Sequence, residues 1–196
     1  MISASLLSEL ILLTMLEVSP PDIMRTHFDS FEPDAQESVS ERFGRYASIS
    51  TALASVIVES ETRTPINDTA IVLSITYHES SWNRDVDLGM NRGDSGRSWC
   101  LGQINIGSGS LFGITGPELV SDRRVCLSVS YRVAKMSIRA CRKNKPQHRL
   151  AIYASGSCDK GHSASAVRLR TASAFVDRML RIKRELTDVE DDDQKL

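Results

Sequence analysis

No two of the four cysteines, Cys100, Cys126, Cys141 and Cys158, stand at CxxC spacing. A zinc knuckle is thereby excluded, because its ligands come in such close pairs. The chain also lacks a charge excess. Its formal net charge of −1 gives no electrostatic footprint for a nucleic-acid partner. A membrane-spanning run is missing too. The first apolar stretch, Ser3 to Val18, is short and carries Glu9 and Glu17. No Lys or Arg precedes it, so it makes a poor secretory signal. No internal repeat is visible, and Gly107-Ser108-Gly109 is too isolated for a nucleotide loop. Neither metal nor cofactor is expected.

What is present bounds a globular protein. With 196 residues, 41% hydrophobic and 25% charged, the chain can bury one sizeable core and still carry an extension. Its charge is unevenly spread. Residues 1–62 hold ten Asp/Glu against three Lys/Arg, and residues 122–149 hold nine Lys/Arg against Asp122 alone. Such runs are read either as solvated helix faces or as a basic stretch that attracts an anionic polymer such as a cell wall. An even number of cysteines in the last hundred residues permits two disulfides, as in a protein working outside the reducing cytosol. Four buried free thiols are the alternative reading.

Periodicity predicts a mainly α fold. An amphipathic helix over Ser3 to Val18 ends at Ser19-Pro20-Pro21, and packs on the domain or on a partner. A second helix over about 34–60 carries Phe43, Ile49, Leu53 and Val56 at helical spacing. A third runs from Pro65 to Ser80, with Thr64 as cap and Pro65 in the first turn. It is apolar enough to be surrounded by core. Residues 84–115 read as loops with a small hairpin around Leu101 to Ile106. A long helix is expected over Arg123 to Arg142, a short one leads to Tyr153, and the last runs from about Ser163 to Leu186. The expected organisation is an N-terminal helical extension (1–62), a main helical domain (63–187) and an acidic, disordered tail (188–196).

The informative feature is a helix that ends in His78-Glu79-Ser80-Ser81-Trp82. Burial and the negative end of the helix dipole both raise the pKa of a Glu there. A carboxylic acid still protonated near neutrality is what cleavage of a glycosidic bond requires. Taken alone, a Glu near a helix end is usually a surface residue. Three further segments follow in order: Cys100-Leu101-Gly102-Gln103, then Tyr153-Ala154-Ser155-Gly156, then Phe175-Val176. With Glu79-Ser80-Ser81-Trp82, they resemble the four motifs of the lytic transglycosylase (SLT) family of the lysozyme-like superfamily. The resemblance covers about residues 65–180. It departs from the family pattern at Cys100 for Gly, Gly102 for Met, Ala154 for Asn and Phe175 for Tyr. Glu79, Gln103 and Tyr153 are kept.

That resemblance implies a lysozyme-like helical domain with a small loop and β-hairpin region lining the cleft. It implies Glu79 as catalytic acid and base. Ser80, Trp82, Ser98, Trp99, Gln103, Ile104, Asn105 and Tyr153 are the candidate substrate-binding residues. Gln103 would offer its amide to an N-acetyl group or to nearby backbone. Tyr153 would donate to Glu79, and Ser80 would orient substrate or hold the loop. Trp82 and Trp99 would either stack on sugar rings or plug the core beside the helix end. The implied reaction is transglycosylation of peptidoglycan at the MurNAc-GlcNAc β-1,4 bond, leaving 1,6-anhydro-MurNAc ends. Ser98 stands where an animal-type lysozyme has its second carboxylate. Asp85, Asp87 and Asp94 remain as groups that could activate water, as in goose-type lysozymes. A hydrolytic muramidase and a non-catalytic wall-binding or virion structural protein are therefore the rival readings.

Two decoys fall away. Gly93-Asp94-Ser95-Gly96 looks like a trypsin-type nucleophile segment, but a helical chain does not supply that fold. His78-Glu79 begins like HExxH, but Trp82 occupies the second His position. His148 and His162 read as surface residues. The expected setting is the periplasm or cell wall, of a bacterial envelope or a phage virion. The N-terminal region is the candidate contact to further partners. Cys126 and Cys141 lie at opposite ends of the long helix, roughly 22 Å apart, beyond the reach of a disulfide. Of the two remaining pairings, Cys100–Cys126 with Cys141–Cys158 closes the shorter loops.

Overall fold

The structure, a computed structural model, describes residues 2–21, 37–106 and 109–193, the last five of these in backbone only. It is mainly helical, as the periodicity predicts. In chain order come α1 (Ala4–Val18), α2 (Val39–Glu59), α3 (Pro65–Ser80), α4 (Arg84–Asp87) and α5 (Gly93–Gly96). Two short strands follow, β1 (Ser98–Trp99) and β2 (Ile104–Asn105). Then come α6 (Gly116–Ser121), α7 (Arg123–Ala140), a 3₁₀ turn (Pro146–His148), α8 (Ala151–Ser155) and α9 (His162–Asp193). β1 and β2 pair antiparallel, Ser98 opposite Asn105 and Trp99 opposite Ile104. No described helix is long and apolar enough to cross a membrane.

α3 is the central helix, packed against α9, α7, α2 and α1. Its sequence explains this: Ala70, Val72, Leu73 and Ile75 are all fully buried, so apolar side chains leave it in several directions. Pro65 opens it as expected, but Thr64 makes no side-chain capping bond; its amide is instead bound by the Thr62 hydroxyl. α2 begins at Val39, later than its periodicity predicts. There Ser38 and Glu41 form a reciprocal capping box. Residues 34–36 of that expected helix lie outside the described residues.

The N-terminal helices share the core of the rest. On α1, Leu7, Leu10, Ile11 and Met15 line one face and are wholly buried, each worth about 2 kcal/mol by transfer. Glu17 at its end pairs with Arg178 and Arg181 of α9. The domain itself therefore takes up the apolar face of α1. At the other terminus α9 continues to Asp193. The expected disordered tail is thus helical over 188–193, and residues 194–196 lie outside the described residues.

Both disulfides of the expected pairing are present, Cys100–Cys126 and Cys141–Cys158, with Cα atoms 6.1 and 5.4 Å apart. The first ties the hairpin to the start of α7. The second ties the end of α7 to the turn after α8. Each loop closure is worth about 3 kcal/mol.

Of the two roles open to Trp82, the structure shows the core plug. The side chain is fully buried, so it cannot stack on a sugar from the surface. Its indole sits among Tyr46, Tyr77 and Phe175 with ring centroids 5.1–6.4 Å away, and Nε1 donates to Thr76 Oγ1 at 3.0 Å. Trp82→Ala should destabilise the fold by about 3–5 kcal/mol. The melting temperature should fall by about 10 °C. An unchanged melting temperature would return Trp82 to the candidate sugar-binding residues.

Candidate functional site

Glu79 lies in the last turn of α3, and the chain then breaks sharply. Ser81 and Trp82 both adopt left-handed backbone, with φ of 49° and 53°. A bulky residue rarely accepts that conformation. Here three contacts hold it. The Trp82 amide donates to Ser80 Oγ at 3.2 Å, and the Trp82 carbonyl accepts from the buried Arg45 guanidinium. Ser80 Oγ in turn donates to the Thr76 carbonyl at 2.7 Å. Of the two roles open to Ser80, holding the loop is the one its bonds serve. Burial of Trp82 thus fixes where α3 stops, and with it where Glu79 points.

The Glu79 side chain is largely buried, 19% exposed, and faces Arg168 on α9. Arg168 Nε and Nη2 both donate to the same carboxylate oxygen, Oε1, with Nε at 3.1 Å. Oε2 is thereby left as the oxygen able to carry a proton toward a ligand. Burial pushes the Glu79 carboxyl above its ordinary range, the Arg168 charge and hydrogen bonds pull it back, and the Asp94 charge pushes it up again. The net direction is upward. The folded chain then holds this proton more tightly than the unfolded chain. The group consequently costs stability as pH rises from about 4.3, the unfolded value, through its raised folded value.

Asp94 is the opposite case. It is exposed on the α5 turn, with left-handed backbone shared by Ser95. Its Oδ2 accepts from Ser98 Oγ at 2.6 Å and from Asn105 Nδ2 at 2.9 Å. Those bonds hold its carboxyl below the ordinary range. Ser98 and Asn105 are the register partners of the hairpin, so the two-stranded sheet serves as the mount for this carboxylate. The site therefore contains two carboxyl groups driven apart, one toward the acid form and one toward the anion. That split is what acid and base roles require. The other two candidate acids are placed differently. Asp87 is buried and clamped by Arg123, while Asp85 is exposed beside Arg84.

Gln103 spends its amide on backbone. Its Oε1 accepts from the Gly93 amide at 2.8 Å and its Nε2 donates to the Cys100 carbonyl at 3.2 Å. A Cβ on Gly93 would stand 2.3 Å from that Oε1, so any side chain there would displace the Gln103 amide from its bond. Gln103 thus fastens the α5 turn to the hairpin and positions Asp94 indirectly. Tyr153 does not donate to Glu79 as expected: its hydroxyl donates to the Gly102 carbonyl at 2.7 Å. It lies within reach of the Glu79 and Arg168 charges, and burial raises its phenol well above the ordinary range, keeping it neutral. A Cβ on Gly102 would meet Ser130 Oγ at 2.1 Å and the Tyr153 hydroxyl at 2.8 Å. That explains the glycine at this motif position: α7 and α8 crowd the hairpin there.

Ile104 is buried in the core, so its side chain is not available to a ligand. Trp99 is half-buried, with Arg92 over one face at 4.3 Å and its ring against Gly116. Its Nε1 is buried without a partner among the described residues. Sequence reasoning missed Arg168. An arginine on an otherwise amphipathic helix, 89 residues from Glu79, carries no local signal. Among the described residues no three His, Cys, Asp or Glu side chains gather to hold a metal ion.

Arg168 and Asp94 act on Glu79 with opposite sign, and that is measurable. In a carboxyl-carbon NMR titration, Arg168→Gln should move the Glu79 midpoint to higher pH. Asp94→Asn should move it lower. Shifts of the same sign, or none, would contradict this electrostatic balance.

No protein-family model matches the chain, and no curated protein or solved structure matches it, so the reading of the site rests on its residues and their geometry.

Proposed function

We propose that the chain is a lysozyme-like, peptidoglycan-cleaving enzyme of the lytic transglycosylase type, with Glu79 as proton donor. One observation carries this reading. A buried glutamic acid at a helix end has its pKa raised, is anchored through one oxygen only, and lies within coulombic reach of a carboxylate whose pKa is lowered. The order of the four sequence motifs supports the same substrate class.

In the first step Glu79 Oε2 protonates the glycosidic oxygen and the bond to the sugar C1 breaks. Positive charge grows on the sugar ring, and the ionised Asp94 stabilises it across the cleft. In the second step the Glu79 carboxylate takes the proton of the muramic C6 hydroxyl, whose oxygen attacks C1. No water is consumed, and a 1,6-anhydro ring forms. Arg168 matters at the moment between the steps, when Glu79 is charged. Its guanidinium is already in place to compensate the buried anion.

Asp94 favours a second reading, hydrolysis by a muramidase. Its Oδ1 makes no hydrogen bond among the described side chains, so it could take a proton from an attacking water. Mass spectrometry of digested peptidoglycan separates the two. Anhydro ends that persist in Asp94→Asn, at a reduced rate, support the transglycosylase. Reducing ends that vanish in Asp94→Asn support the muramidase. Absence of any cleavage by the wild-type protein would leave a wall-binding or virion structural role.

The decisive variant is Glu79→Gln. It keeps shape and hydrogen bonding but transfers no proton, so the rate should fall on the order of 10²-fold or more. Because the raised pKa makes the ionised carboxylate a cost to folding, this variant should melt at or above the wild-type temperature at neutral pH. Near-wild-type cleavage by a folded Glu79→Gln protein would remove Glu79 from the mechanism.

A further inference from the structure

Of the nine cations in residues 122–149, three are neutralised across elements: Arg123 by Asp87, Arg124 by Glu59 and Lys135 by Asp68. Arg132 lies over the Phe112 ring at 3.9 Å. The other five, Arg139, Arg142, Lys143, Lys145 and Arg149, have no ion pair among the described residues. They gather at one end of the fold. Arg139, Arg142 and Lys143 stand three and four residues apart around the end of α7 and the turn beyond it. Lys145 and Arg149 flank the 3₁₀ turn.

That end is rigidly built. His148 of the turn stacks on His162 of α9, with rings 4.3 Å apart and 6° from parallel. Cys141 is bonded to Cys158, and Asn144 Nδ2 donates to the Cys158 carbonyl at 2.7 Å. The same loop carries Asp159 and Lys160, whose charges cancel. The Nε of Arg149 is buried with no hydrogen-bond partner among the described residues.

Folding alone gives a reason for one of these charges. A cation in the last turn of α7 offsets the helix dipole, and Arg139 does this. The effect fades beyond that turn, so it does not explain Arg142, Lys143 and Lys145. Other cations of the fold, among them Arg45, Arg123, Arg168 and Arg181, pair with acids. Here it holds them together on a braced surface, where their mutual repulsion opposes folding.

We propose that this end of the fold is a docking surface for a phosphate-bearing polyanion, the phosphodiester polymer of a cell wall. Arginine forks and lysine point charges in close array match phosphate oxygens. A polymer fits better than a single anion, because Arg142, Lys143 and Lys145 are all exposed and none is buried around an enclosed ligand. α8 starts two residues after Arg149 and carries Tyr153 to the Gly102 carbonyl beside Glu79. A docked polymer therefore lies one short helix from the candidate site. Identifying the polymer as a wall component rests on the proposed function; the phosphate chemistry does not.

The test uses the full chain, with inorganic polyphosphate, polyglutamate and single-stranded DNA as probes in a titration calorimeter. Polyphosphate should bind more tightly than polyglutamate or DNA, and weaken as salt rises. The triple variant Arg142→Gln/Lys143→Gln/Lys145→Gln should lose tenfold or more in affinity. Its salt slope should drop by about two, as each lost phosphate contact removes roughly 0.7–0.9. The charge-keeping triple Arg142→Lys/Lys143→Arg/Lys145→Arg should bind like wild type, and Glu79→Gln should too, whatever its activity. Full binding by the neutral triple, or loss in the charge-keeping one, overturns the proposal. So does polyglutamate binding as tightly as polyphosphate. DNA binding the tightest would make the surface one for nucleic acid instead.

Discussion

A single guanidinium decides the state of the candidate acid. Burial at the end of α3 favours the neutral form of Glu79, while the Arg168 charge and hydrogen bonds favour the anion. The observed contact strikes a balance between them: two donors on Oε1, none on Oε2. Under the proposed mechanism, a group that acts as acid in one step and base in the next needs such a compromise. α3 and α9 are packed side by side, which lets a residue of one helix complete the charge balance of the other.

That balance depends on the place where α3 stops. The helix ends because Trp82 turns back into the core, and the cost of two consecutive left-handed residues is met by the indole's burial and by Arg45 on the Trp82 carbonyl. Arg45 is itself buried and held by Glu37, just before α2. The position of Glu79 therefore reaches back into α2. The N-terminal helices belong to the site's support rather than hanging from it.

Much of this was legible in the sequence where the signal is local. α3 matches its expected span because Pro65 and the apolar run define it, and the mainly α fold follows from periods of the same kind. The disulfide pairing was reached because a straight helix keeps Cys126 and Cys141 apart, and of the two pairings left the one with shorter loops is the one formed. What stayed open was direction. Trp82 faces inward and Gln103 turns its amide to the Gly93 and Cys100 backbone, each one of two roles left open by the sequence, while Tyr153 faces a carbonyl instead of Glu79. Each depends on what a distant element places opposite, and no window of sequence contains that. The same reason hid Arg168 and the mounting of Asp94 by Ser98 and Asn105.

The walls of the site carry the stress of its shape. Six non-glycine residues between Ser81 and Gln103 have left-handed backbone: Ser81, Trp82, Asp94, Ser95, Cys100 and Gln103. Each costs of order 1–3 kcal/mol. Most have a restraint beside them. Cys100 is bonded to Cys126, Gln103 grips two backbone groups, and Asp94 is held by both strands of the hairpin. A two-stranded sheet of two residues each is far too small to persist alone. It persists because Leu101 and Ile104 are buried in the helical core and a disulfide fastens its turn to α7. The stability for this strained, charge-split turn region is thus drawn from covalent and apolar contacts behind it, so that Glu79 and Asp94 need not supply it.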